Sequence, residues 1–405
     1  MRPYERMIQY CRINTTSDEE SGTAPSSDRE FALADLLAET LREIGVSDVV
    51  RTETCNVYGK IPATPGLENA PKIGWVAHMD TAPDFRGEGV RPIVWENYDG
   101  NDVRLPECGR VIRVADFPHL AEKKGKTLIT ASGDTLLGAD DKAGAAEIIC
   151  MCERLLKGDI PHGPVRIAFT PDEEIGRGTE TFDYGRMDAD YAYTMDGGQV
   201  GEVVWECFNA ASAGIEIRGN NVHPGSAKNI MINACLVAEE FDRLLPASEI
   251  PSMTEGYEGF YHLTGMRGSV EKAEMFYILR DHDAEKLAER ENRVREAAET
   301  LNRKYGEGTV TVSIREGYRN MAEIIKQHYE VVEKALAATE KAGIKPVQDP
   351  IRGGTDGATM TANGLPCPNL GTGAYAFHGP YEHAVAEEMD AAVEIMLGIL
   401  KEFCL

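Results

Sequence analysis

Two histidines and a set of acidic residues fall in five short blocks of the chain: His78-Met79-Asp80-Thr81, Gly138-Ala139-Asp140-Asp141-Lys142, Pro171-Asp172-Glu173-Glu174, Met195-Asp196-Gly197 and Phe377-His378-Gly379. Imidazole nitrogen and carboxylate oxygen are ordinary zinc ligands, and a catalytic zinc keeps one position open for water. A pair of zinc ions needs a ligand that spans both. A carboxylate has two oxygens for this, whereas a neutral imidazole offers metal one nitrogen. Two histidines, one bridging carboxylate and two terminal carboxylates therefore suit a two-zinc hydrolase centre. One of Glu173 and Glu174 is then left for proton transfer. The blocks are too far apart to share one helix, unlike the His-Glu-x-x-His of a zincin, so separate strand ends must supply them.

The elements around the blocks fit that placement. Phe31, Leu33, Leu36, Leu37, Leu41 and Ile44 repeat at helical spacing before Gly45, predicting a packed helix over 28–45 with no chemistry of its own. Lys72–Ala77, Val165–Thr170 and Tyr191–Met195 read as short buried strands. His78, the Pro171–Glu174 turn and Asp196 follow at their ends, where open α/β sheets collect ligands. Ala143–Leu156 reads as a buried helix opening after Asp140-Asp141, where carboxylates are favoured by the helix dipole, so Asp141 alone reads as a cap. Between 84 and 126 lies a polar insert too long for a plain connection, a candidate lid or subunit contact. Its His119 reads as a surface residue.

From about Ala210 the texture changes. Strand patterns at 213–219, 274–281 and 309–314 alternate with helical ones at 230–245 and 284–303, describing a small α+β sandwich. After Tyr318 the chain returns to helix, strand and loop. The expected organisation is a discontinuous larger domain, 1–209 and 318–405, with an inserted domain at 210–317.

The blocks His78-x-Asp80-Thr81, Thr135–Gly144, Thr170–Gly176, Asn221-Val222-His223-Pro224-Gly225 and Arg352–Ala358 resemble the M20 metallopeptidases, and within them the branch of tripeptide aminopeptidases. The resemblance runs over nearly the whole chain. It implies an α/β, zinc-peptidase-like catalytic domain with a central mixed sheet flanked by helices, and an inserted α+β sandwich serving as lid and dimerisation domain. It implies two zinc ions per subunit, with cobalt or manganese as alternatives. His78 and Asp196 would hold one ion, Glu174 and His378 the other, and Asp140 both, with a cis peptide bond after Asp140. The catalytic roles fall to Asp80, which orients His78 through its second nitrogen, and to Glu173 as general base. His383 is the rival of His378, set aside because Phe377-His378-Gly379 matches the family block. Tyr381 departs from the family, which has a histidine just after the last ligand.

The same resemblance gives substrate roles to His223, which would polarise the scissile carbonyl, and to Arg280 and Arg352. A guanidinium suits bidentate recognition of a peptide's terminal carboxylate; Lys228 is a weaker candidate. If acidic groups fix the amino end and an arginine the carboxyl end, peptide length is gauged, since each extended residue adds roughly 3.3–3.6 Å. The expected activity is release of the N-terminal residue from tripeptides. Its alternatives are another M20 hydrolase (dipeptidase, carboxypeptidase or N-acyl amino acid deacylase) and a non-catalytic metal-binding protein.

Composition sets bounds around this reading. At 405 residues two domains are the default. A net charge of −25 argues against nucleic acid or an anionic membrane as partner; the resemblance implies small peptides as substrates and, through the inserted domain, a second copy of the chain. Nine cysteines without a Cys-x-x-Cys pair suit reduced thiols. Met1–Tyr10 lacks the apolar core of a signal peptide, and no apolar run approaches the ~20 residues of a membrane span. The expectation is a cytoplasmic enzyme.

Overall fold

Ile73–His78 and Val165–Thr170 are buried at every position, as parallel strands covered on both faces must be. They lie inside the larger of two compact units. The computed structural model describes residues 1–158 and 160–405, which divide into one unit of residues 1–205, 323–348 and 355–405 and another of residues 206–322 and 349–354.

The sheet of the first unit runs in the order Ser47–Arg51, Val57–Ile61, Val165–Thr170, Ile73–His78, Tyr191–Gly197, Asn369–Gly371, Val203–Val204. Its four central strands are parallel and its outer pairings antiparallel, so the sheet is mixed. Register pairs His78 with Thr170 and Val76 with Thr194. His78, the turn after Thr170 and Asp196 therefore emerge along one edge, at the carboxyl ends of the parallel strands.

The helix Ala139–Leu156 packs against the strands that carry His78 and Asp196. Asp140 and Asp141 depart from helical φ/ψ within it, so its regular turns begin only after them; the Asp140–Asp141 peptide is cis. A side chain at Gly144 would meet the Met195 carbonyl oxygen at 2.1 Å, so glycine there lets the helix come down onto the strand ending in Asp196. The predicted helix over 28–45 forms as Glu30–Ile44, stopped by Gly45 at φ 98°.

The 84–126 insert carries more structure than its polar composition suggests. Ile93–Trp95 joins Leu128–Thr130, His383–Val385 and Ala374–Tyr375 in a second, antiparallel sheet. Tyr98, Val103, Leu105, Ile112 and Leu120 form a small core with Leu128, Tyr375 and Val385. His119, expected at the surface, is half-buried there, its Nε2 2.9 Å from that of His383.

In the second unit Phe260–Gly268, Lys272–Asp281, Asn209–Arg218 and Val310–Glu316 form an antiparallel sheet in that order. The helices Ala234–Arg243 and Ala284–Tyr305 share a core with it, including Ile215, Phe241, Met275, Leu279 and Leu301. This unit also takes in Asp349–Gly354, which the sequence pattern grouped with the larger domain. Ile351 bridges to Cys207, and the Arg352 guanidinium donates to the Gly256 and Glu258 carbonyls.

Candidate metal centre

His78 ends its strand at 2% side-chain exposure, its Nε2 2.9 Å from Asp140 Oδ1 and 3.5 Å from Asp196 Oδ1. His378, in a left-handed backbone conformation at φ 62°, brings its Nε2 to 2.8 Å from Glu174 Oε2 and 3.3 Å from Asp140 Oδ2. Asp140 thus presents one oxygen to each histidine. Donor atoms of His78, Asp140 and Glu174 lie within 4.8 Å of one another, as do those of His78, Asp141 and Asp196. All five residues expected to hold metal come together in one unit.

Asp80, fully buried, ties this cluster to the turn beside it. Its Oδ1 lies 3.3 Å from His78 Nδ1, while its two oxygens accept the backbone N–H groups of Glu173 at 3.0 Å and Glu174 at 3.1 Å. Glu174 Oε1 also accepts from Ala82 N at 2.9 Å. The third acid of the run leaves the cluster: Asp172 accepts the Ser26 N–H on both oxygens. Asp141 serves as the expected cap, taking the Gly144 N–H at 3.1 Å, and also receives the His78 N–H at 3.3 Å.

Electrostatics show what the protein groups lack. Burial, then the charge of Asp196, pushes the Glu173 carboxyl well above its usual range. Burial, then Asp140, raises Glu174, and burial raises Asp196. His378 is pushed up to about 11 by its bonds to Asp140 and Glu174. Burial pulls His78 down, but bonds to Asp140, Asp196 and Asp80 outweigh it and hold the ring protonated well above its ordinary value. Asp140 is the exception: burial alone would raise it, but its bonds to His378 and His78 outweigh that and hold it low. For the other acids the surplus of buried carboxylates raises proton affinity, and bound metal cations reverse that logic. A donor set of imidazole nitrogen and carboxylate oxygen, spanned by one carboxylate, fits a pair of divalent ions.

Two acids at the centre were not singled out from sequence. Asp356, buried, accepts the Thr170 hydroxyl at 3.0 Å, and a side chain at Gly178 would strike its carboxylate at 2.4 Å. Its sequence signal is the Arg352–Ala358 block, which carries Arg352 as well. Glu382 accepts three backbone N–H groups of the Leu137–Asp140 turn, and was passed over between two competing histidines. Of those, His383 bonds His119 and the Tyr381 carbonyl, not the acids of the centre.

The remaining expected residues lie in the second unit. His223 accepts the Gly225 N–H at 3.1 Å, shaping its own turn. Arg280 donates to the Tyr318 hydroxyl and to the Ala211 and Leu279 carbonyls. Arg352 packs over Phe208 and Phe260 and also donates to Thr254 Oγ1.

Residues 135–402 match the model of peptidase family M20/M25/M40. Over 399 residues the chain is 49% identical to peptidase T of Clostridium perfringens strain 13, covering 98% of each chain. The chain belongs to peptidase family M20/M25/M40. A second relative, peptidase T of Geobacillus kaustophilus, is 48% identical over 401 residues, covering 98% of this chain and 97% of that one. Among solved structures, aminopeptidase PepT from Bacillus cereus superposes with a TM-score of 0.79 at 24% identity, covering 100% of this chain and 98% of that one. A dinuclear metal-binding M20 peptidase from Bacillus subtilis gives 0.65 at 16% identity, with coverage of 98% and 97%. These two likenesses bear out the mixed α/β fold. As a member of the M20 family the chain is a peptidase, a hydrolase of peptide bonds.

Proposed function

We propose that the chain is a two-zinc tripeptide aminopeptidase. The observation that carries the reading is Asp140, set between the Nε2 atoms of His78 and His378, in a chain 49% identical to a peptidase T. His78 and Asp196 would hold one ion, Glu174 and His378 the other, and Asp140 both, with cobalt or manganese as substitutes for zinc. When bound, the ions supply Lewis acidity that activates water and polarises the scissile carbonyl.

The chain's own groups do the rest. Glu173 accepts the proton of the attacking water and delivers it to the leaving amine. Asp80 fixes its backbone by accepting the Glu173 N–H. Asp80 also orients the His78 ring. The acidic surplus of the centre favours the ammonium end of a peptide. His223, Arg280 and Arg352 are assigned to substrate by their chemistry: an imidazole for the carbonyl, guanidinium groups for the terminal carboxylate. The proposal includes a homodimer formed through the inserted unit. All nine cysteines are free, and no helix among the described residues is long and apolar enough to cross a membrane; both suit the proposed cytoplasmic location.

The test compares release of the N-terminal residue from trialanine, dialanine, tetraalanine and N-acetyl-trialanine by zinc-loaded protein, read by mass spectrometry. Cleavage of trialanine alone is expected. Cleavage confined to the acetylated or shorter peptide would replace the reading with a deacylase or dipeptidase. Replacing Arg280 with Ala should raise KM for trialanine sharply; an unchanged KM removes that arginine from the proposal.

A further inference from the structure

Glu382 is 1% exposed. Its Oε2 accepts the Leu137 and Gly138 N–H groups at 2.7 and 2.8 Å, and its Oε1 accepts that of Asp140 at 3.1 Å. Burying a carboxylate costs free energy unless strong donors meet it, and here the donors are main-chain amides of one turn. That turn holds Gly138 at φ 76° and Asp140 outside helical geometry, so the first amides of the helix have no carbonyl of their own to donate to. Glu382 supplies the missing acceptors.

The position of Glu382 along the chain gives this contact its meaning. His378 stands four residues earlier, and the Glu382 N–H closes back onto the Gly379 carbonyl at 3.3 Å. On the other side, His383–Val385 is paired to Leu128–Thr130. One short segment, anchored in a sheet, therefore carries a metal-site histidine and grips the backbone of the carboxylate that faces both histidines. We propose that Glu382 is a positioning residue that fixes Asp140 relative to His378 and so sets the spacing of the two metal positions. Glutamine keeps the shape of the side chain but has one acceptor oxygen, so in Glu382→Gln an amide NH2 must face at least one of the three N–H groups.

The inference rests on the metal-centre reading, and one titration separates the two. Zinc affinity is measured by chelator competition for wild type, Glu382→Gln and Glu388→Gln, with circular dichroism of each metal-free protein. Glu388 is a nearby buried acid that bonds Lys123, Lys126 and Tyr375 instead of the turn. Glu382→Gln is expected to bind zinc 10–100-fold more weakly, with kcat lowered and KM little changed, while Glu388→Gln binds as wild type does. Equal affinity of Glu382→Gln and wild type overturns the proposal, as does an equal loss in Glu388→Gln, which would mean general loosening. Wild-type protein that binds no zinc overturns the metal centre itself. Hydrogen exchange of the wild-type chain needs no folded variant: the Leu137, Gly138 and Asp140 amides should be protected, and exchange at open-loop rates would refute the clamp.

Discussion

The two halves of the centre are built to different standards. His78 ends a fully buried strand, is 2% exposed and has the buried Asp80 3.3 Å from its second nitrogen. His378 stands in a loop at positive φ, 46% exposed, and the acid 3.5 Å from its second nitrogen is Asp84, itself 66% exposed. A ligand held by sheet and buried hydrogen bonds has little freedom to lose on binding; one on an open loop must be ordered, and water competes for its partners. The metal position at His78 should therefore be the tighter one, and Glu382 matters because it lends the looser half some of the sheet's rigidity.

That contrast can be broken experimentally. The largest effect belongs to the proposed base: Glu173→Gln should lower kcat about 10²–10⁴-fold while metal content, measured by inductively coupled plasma mass spectrometry, stays at wild-type level. Next, His78→Ala should strip both ions, whereas His378→Ala should retain an ion at His78. Equal occupancy in the two variants would erase the proposed asymmetry. Asp80→Asn should cost about 10–100-fold in activity or zinc affinity, and Asp84→Asn, on the exposed side, only about 3-fold or less; the same pair of assays decides.

The smallest effect is outside either half. His383 is buried without an acid on its ring: burial, opposed by the Tyr381 carbonyl and helped by His119 and Lys123, pushes its imidazole down to about 4, with Glu388 pulling the other way. Its folded value lies below the unfolded one, so the unfolded chain takes up the proton first as pH falls. The stability concerned is whole above about pH 6.5 and is lost towards pH 4, roughly 3 kcal/mol at most. Calorimetry of metal-free protein should show Tm falling across that window, with a shallower fall in His383→Gln.

Legibility in the sequence followed the same division. His78 and Asp196 close strands whose apolar runs announce them, and the mixed sheet was implied by the blocks that those strands deliver. His378 carries no such local signal. Only the likeness of Phe377-His378-Gly379 to the family block sets it apart from His383, because the physical difference lies in partners drawn from distant segments: Glu174 and Asp140 for one, His119 for the other. Glu382 was invisible for a related reason, since its partners are backbone amides and leave no side-chain pattern. In the second unit, the strand Phe260–Gly268 lies outside the strand patterns read from the sequence: its burial fades from Phe260 to Gly268 and its register slips between Leu263 and Gly265. The Asp349–Gly354 crossing is too short to show a composition change.

Asp80 has a consequence for how this chain can vary. Asp80 meets the His78 ring with its backbone carbonyl at 3.1 Å and its carboxylate at 3.3 Å, and the same carboxylate holds the backbones of Glu173 and Glu174, so a ligand of each proposed ion and the proposed base hang on a single codon. A substitution at Asp80 reaches all three functions together. Natural variation in substrate preference must then be sought elsewhere, in residues such as Tyr381, whose replacement leaves those three contacts intact.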